Sequence, residues 1–145
     1  MAANLAVAER WVTEHPDTEF DFFLPPYSIL FWDKVIREGR TEAVFAAIRQ
    51  AGQTLLQYDN VKFYGYLMDP EIVTNLDNYC DYIHHSGGVC REILTMLQRE
   101  EGRLTEENLE ETLANWREFV VHYDYDQFWD ERFWIQWNAE HAAAP

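Results

Sequence analysis

The chain has 145 residues, the length of one compact domain, and 48% of them are apolar, enough to build a core. Eleven Lys and Arg stand against 26 Asp and Glu, a formal net charge of −15 that repels phosphate backbones and argues against nucleic acid as a partner. The same charge reads most simply as a solvated surface, and more sharply as an acidic decoy for a basic partner.

Glu9 and Arg10 interrupt any apolar run near the start, and no long apolar run follows, so neither a secretory signal nor a membrane segment is expected. As written the chain would stay in the cytoplasm; as part of a larger anchored protein it would lie outside the membrane. Leu5, Ala8, Trp11 and Val12 recur at helical spacing, and Pro16 closes that helix. In Thr18 to Leu24, Phe20, Phe22 and Leu24 alternate with Glu19 and Asp21. Phe23 breaks the pattern and predicts a strand covered in part on both faces. Pro25 and Pro26 end it, because proline donates no ladder hydrogen bond.

A short helix is predicted from Ile29 to Arg37, stopped near Gly39, and Thr41 is placed to cap the next one. Val44, Ile48, Ala51 and Leu55 fall on one helical face. After a turn at Tyr58-Asp59-Asn60, Val61 to Leu67 reads as a second strand, parallel to the first across a right-handed crossover. Asp69 to Gly88 reads as a long loop. A helix follows with Val89, Ile93, Leu94 and Leu97 as its buried stripe, and Gly102 ends it. Thr105 then caps a helix whose core face is Leu109, Leu113, Trp116 and Val120. Tyr123 to Trp137, dense in aromatics, is expected to form a further helix, which packs on the domain or serves as a binding surface. Two parallel strands make a poor sheet on their own. Either strands are overlooked, or a missing segment, a second copy or a protein partner completes the sheet.

Cys80 and Cys90 form no C-x-x-C pair and complete no zinc set, and are expected as small, buried or half-buried side chains; a disulfide between them stays open. His84, His85, Asp81 and Cys80 lack diagnostic ligand spacing and read as unligated, so no metal and no cofactor is expected. Asp81 and His84 form D-x-x-H. At that spacing a carboxylate in a turn accepts a hydrogen bond from the imidazole three residues on, fixing its tautomer as the Asp of a serine triad does. A histidine held so can act as a general base.

That block resembles the last conserved block of SGNH-type (GDSL-like) hydrolases. The wider run is similar to bacterial SGNH-like proteins related to alginate and teichoic-acid acylation factors, through Pro25-Pro26-Tyr27-Ser28 after a strand, Leu76-Asp77-Asn78-Tyr79 leading to Asp81 and His84, Leu104 to Asn108, and Tyr123 to Asp126. The resemblance runs from about Ala8 to about Phe128. It implies a partial three-layer α/β fold (SGNH or flavodoxin-like) with a short parallel sheet over 1–128 and an aromatic extension over 129–145. It also implies Asp81 and His84 as catalytic residues, with His85 a rival base, and an acyl ester on a carbohydrate as substrate. The family's nucleophilic Ser and its oxyanion-hole Gly and Asn have no counterpart. Ser28 and Ser86 are the only serines, and both read as helix caps. Each absent oxyanion donor removes roughly 3–4 kcal/mol of transition-state stabilisation. The expectation is therefore the C-terminal part of an ester hydrolase or O-acyltransferase, inactive alone. The alternative is a non-catalytic, acidic interaction or inhibitor module.

Overall fold

The computed structural model describes residues 2–129. It shows an α/β fold in which a small mixed sheet is packed by helices on both faces. The elements are α1 (Ala2–Glu14), β1 (Phe20–Phe23), α2 (Ile29–Arg37), α3 (Thr41–Leu55), β2 (Val61–Tyr64), α4 (Pro70–Val73), α5 (Gly87–Gln98), β3 (Arg103–Leu104) and α6 (Leu109–His122). The expected tail helix lies largely outside the described residues, as does the proposed 129–145 extension beyond Trp129. The part that is described ends in a single 3₁₀ turn, Asp126–Phe128.

β1 and β2 pair in parallel, Phe20 opposite Val61 and Phe23 opposite Tyr64. Asn60 sets this register: its backbone carbonyl accepts from Phe20 N–H, while its side-chain amide donates to the carbonyls of Val12, His15 and Thr18. One residue thus ties the end of α1 to the start of both strands. The all-parallel sheet is corrected by β3, which pairs antiparallel on the other side of β2, Phe63 opposite Leu104. A two-residue strand carries no readable alternation, so its pairing was invisible in the sequence. The second strand is also shorter than expected: after Tyr64 the chain coils into a 3₁₀ turn, Tyr66–Met68.

Strand alternation divides the core. Val61 and Phe63 join the larger cluster, built with α2, α3 and α6, whereas Tyr64 joins a smaller one with Ile72, Val89 and Ile93. Trp32, fully buried, centres the larger cluster, with Phe45 at 5.1 Å and Trp116 edge-on at 6.1 Å between ring centroids. The expected core face of α6 (Leu109, Leu113, Trp116, Val120) is buried throughout. Two assignments fail. Trp11 is half exposed while Val12 takes the core position, and Leu94 is 61% exposed because Val89 and Ile93, with Met96 and Leu97 beside them, form the inward face of α5.

α2 ends as Gly39 predicts. With φ at 65°, Gly39 adopts the left-handed conformation that an L side chain resists, and its N–H donates to Ile36 O while that of Arg40 donates to Val35 O. This closure turns Arg40 back over the end of the helix. Thr41 does not cap α3; it is the helix's first residue, preceded by Arg40.

Asp33 is 4% exposed, yet it is held from two sides: Arg37 lies 2.7 Å away and Trp129 Nε1–H donates to its other oxygen at 2.9 Å. Tyr125, whose hydroxyl donates to Val120 O, is packed close by; burial and then the Asp33 charge push its phenol up. Breaking a buried charge pair strands the remaining ion. Asp33→Ala is therefore expected to destabilise the chain by about 3 kcal/mol in urea denaturation. Gly39→Ala is expected to cost about 1 kcal/mol by the same measurement, with no loss of core packing, since open space surrounds the added methyl group.

Candidate functional site

The segment from Asn75 to Ser86 folds on itself through its own polar side chains. Asn75 accepts from Asp77 N–H, and Asn78 donates its amide to Ile72 O. Tyr79 faces His85 in an isolated antiparallel bridge, Cys80 N–H donates to His84 O at 2.9 Å, and Ser86 N–H donates to Asn78 O at 2.7 Å. What the sequence presents as a long loop is a short hairpin-like turn preceded by α4 and a 3₁₀ turn.

Asp81 organises the tip. One carboxylate oxygen accepts the backbone N–H groups of Ile83 (2.9 Å) and His84 (2.8 Å); the other accepts His84 Nδ1–H at 2.6 Å. The Ile83 N–H, then the His84 ring, hold the Asp81 carboxyl down at about 2, below its ordinary 3.8. An ionised carboxylate accepts only, so His84 carries its proton on Nδ1 and turns Nε2 to solvent. The D-x-x-H spacing thus brings its two residues together, on an exposed tip: the side chains are 48% and 72% accessible.

The turn is fastened to the start of α2. Ser28 is fully buried and donates both its N–H (3.1 Å) and its hydroxyl (2.9 Å) to Tyr82 O, and Tyr79 OH donates to Pro26 O at 2.8 Å. Burial, with the Asp69 charge behind it, pushes the Tyr79 phenol up, which keeps it a donor. Ser28 sits at the N-cap of α2 but its side chain caps nothing; its hydroxyl is committed to the turn. Ser86 does cap, accepting from Val89 N–H. Among the described residues no hydroxyl or thiol hydrogen-bonds to His84.

His85 faces elsewhere, its Nδ1 3.6 Å from Cys90 Sγ. Both cysteines are free and exposed, against the expectation of burial, because one lies on the turn and the other on the solvent side of α5. No group of three or more metal-ligating side chains comes together among the described residues, and no described helix is long and apolar enough to cross a membrane.

Between the turn and α2 lies a cleft of about 260 Å³, lined by Tyr27, Phe31, Lys34, Val35, Arg40, Tyr82 and Ile83. Tyr82 and Ile83 are the two residues enclosed by the Asp81–His84 bond. Tyr27 and Phe31 present tilted rings 5.0 Å apart, and Lys34 and Arg40 stand at the rim, both paired with Glu38. Sequence reasoning missed this cleft, because its walls are more than forty residues apart. A larger hollow of about 510 Å³, away from the His84 pair, is lined by Asp69, Glu71, Glu92 and Glu101 with Arg99. It lacks the aromatic walls that hold a ligand.

Two curated proteins match the chain, the UPF0735 ACT domain-containing proteins of Lacticaseibacillus casei and Lacticaseibacillus paracasei. Each is 26% identical over 90 residues, covering 62% of this chain and 62% of the relative. The chain therefore spans less than two thirds of the length of the curated relatives it matches. No family model matches. No solved structure matches either. The relatives are named for an ACT domain, not for an ester hydrolase, and this overturns the SGNH resemblance with its esterase or acyltransferase function. Physically, D-x-x-H has a local reason to exist here: the aspartate ties off two backbone N–H groups of a tight turn, which needs no catalysis to explain it.

The Asp81 carboxyl is expected to titrate near 2 by NMR, and to rise only in part in His84→Ala, since the Ile83 N–H bond is the larger cause. Its depressed value contributes stability to the turn that is present above about 3.8 and lost as the pH falls through about 2. A midpoint that is ordinary in the wild type would contradict the geometry.

Proposed function

We propose that this chain is a regulatory module that binds a small ligand in the cleft between α2 and the Asp81–His84 turn. The observation that carries the reading is the fastening of the turn from two sides. Ser28 holds the Tyr82 carbonyl from below, and Asp81 ties the tip from within. Tyr82 and Ile83 then form a wall that is in place before any ligand arrives, so binding costs little ordering. In this reading Asp81 and His84 are positioning residues. The match to ACT domain-containing proteins supports a regulatory role over a hydrolytic one.

A thermal-shift screen of small metabolites tests it. A ligand present at one hundred times its Kd adds about 2.7 kcal/mol, several degrees in Tm. Asp81→Ala is expected to weaken that shift by loosening the wall. A screen in which nothing raises Tm, or ester hydrolysis that disappears in His84→Ala, would overturn the proposal.

A further inference from the structure

We infer that the cleft takes a one-ring aromatic monoanion, its carboxylate seated between Lys34 and Arg40 and its ring among Tyr27, Phe31 and Tyr82. The inference rests on the ligand-binding reading above and names the ligand class.

Size sets the first limit. The cleft holds about 260 Å³, below the roughly 300–1,000 Å³ of sites for drug-sized molecules, so it suits a single ring. Its walls set the second. Tyr27 and Phe31 meet at 58° with their ring centroids 5.0 Å apart, and Tyr82, 42% exposed, lines the same cleft. A flat aromatic group matches that arrangement better than a branched aliphatic one.

Charge sets the third. The chain as a whole carries −15, yet this rim bears two cations, Lys34 and Arg40, and one carboxylate, Glu38, which both of them contact. The rim therefore sums to +1, and one carboxylate on the ligand would neutralise it. Glu38 is held below the usual carboxylate range, first by its hydrogen bond from Lys34, so it stays ionised and occupies the position a ligand carboxylate would compete for. Asp81, the nearest carboxylate on the turn, is engaged by Ile83, His84 N–H and the His84 ring. The placement of Arg40 is not incidental: the left-handed Gly39 turns it back over the end of α2.

Titration of the full chain with phenylacetate, followed by NMR of the aromatic side chains, tests the inference, with phenethylamine as a probe of the same ring and opposite charge. Phenylacetate is expected to shift Tyr27, Phe31 and Tyr82, and phenethylamine is expected not to. Arg40→Ala is expected to weaken phenylacetate about ten-fold or more, the loss of one charge-assisted bond. Glu38→Gln is expected to tighten it several-fold by freeing both cations, which a merely structural role would not do. Equal binding of phenethylamine, or no tightening in Glu38→Gln, overturns the ligand class. Phenylacetate shifts confined to other residues, or Tm-raising compounds that all bind elsewhere, overturn the site while leaving a ligand-binding function standing. A screen without any binder overturns both.

Discussion

The carbonyl of Tyr82 receives two hydrogen bonds from one buried residue, and the local architecture hangs on it. Ser28 supplies both its N–H and its hydroxyl, and being fully buried it has no water to turn to. Two prolines bring it there: Pro25 and Pro26 stop β1 and leave the Pro26 carbonyl open to Tyr79 OH. A turn more than fifty residues further along is thereby fixed on the first turn of α2, the helix whose other end carries Lys34 and the Gly39-Arg40 closure.

The distribution of charge follows a similar logic. Most ion pairs lie at the surface, Arg49 with Glu110 and Arg117 with Glu42 among them, and pairs so exposed contribute little. Lys62 is more enclosed. It bridges Glu100 and Glu19, and those two bonds raise its affinity for a proton, Glu100 first. The pair with structural weight is Asp33 with Arg37, sealed by Trp129. It ties the last described residues to α2, the same helix that forms one wall of the cleft.

Helices were the most legible part of the sequence, because a long amphipathic period and a stop signal occur together. α2 runs from Ile29 to Arg37 and ends at Gly39 as read, and α6 buries the four residues its spacing names. Short elements were not legible: β3 has two residues, and Leu94 lies on the helical stripe yet finds no sheet above it. The Asp81–His84 bond was legible from spacing alone, whereas its meaning was not. Four residues that satisfy a turn's own hydrogen bonds look the same as four residues kept for catalysis, and the curated relatives are named for an ACT domain, not for an ester hydrolase. The cleft was out of reach of periodicity, because Tyr27 to Arg40 meets Tyr82 and Ile83 only through the Ser28 clamp.

Amide hydrogen exchange of Ser28, Ile83 and His84 tests the clamp most directly. Ser28 is expected to exchange as slowly as the core strand Val61–Tyr64. Measurable protection of Ile83 and His84 is also expected in the wild type, reduced in Ser28→Ala and lost in Asp81→Ala, while the core strand stays protected. Exchange of all three at free-peptide rates in the wild type would mean that the turn is not fastened, and that the cleft has no standing wall.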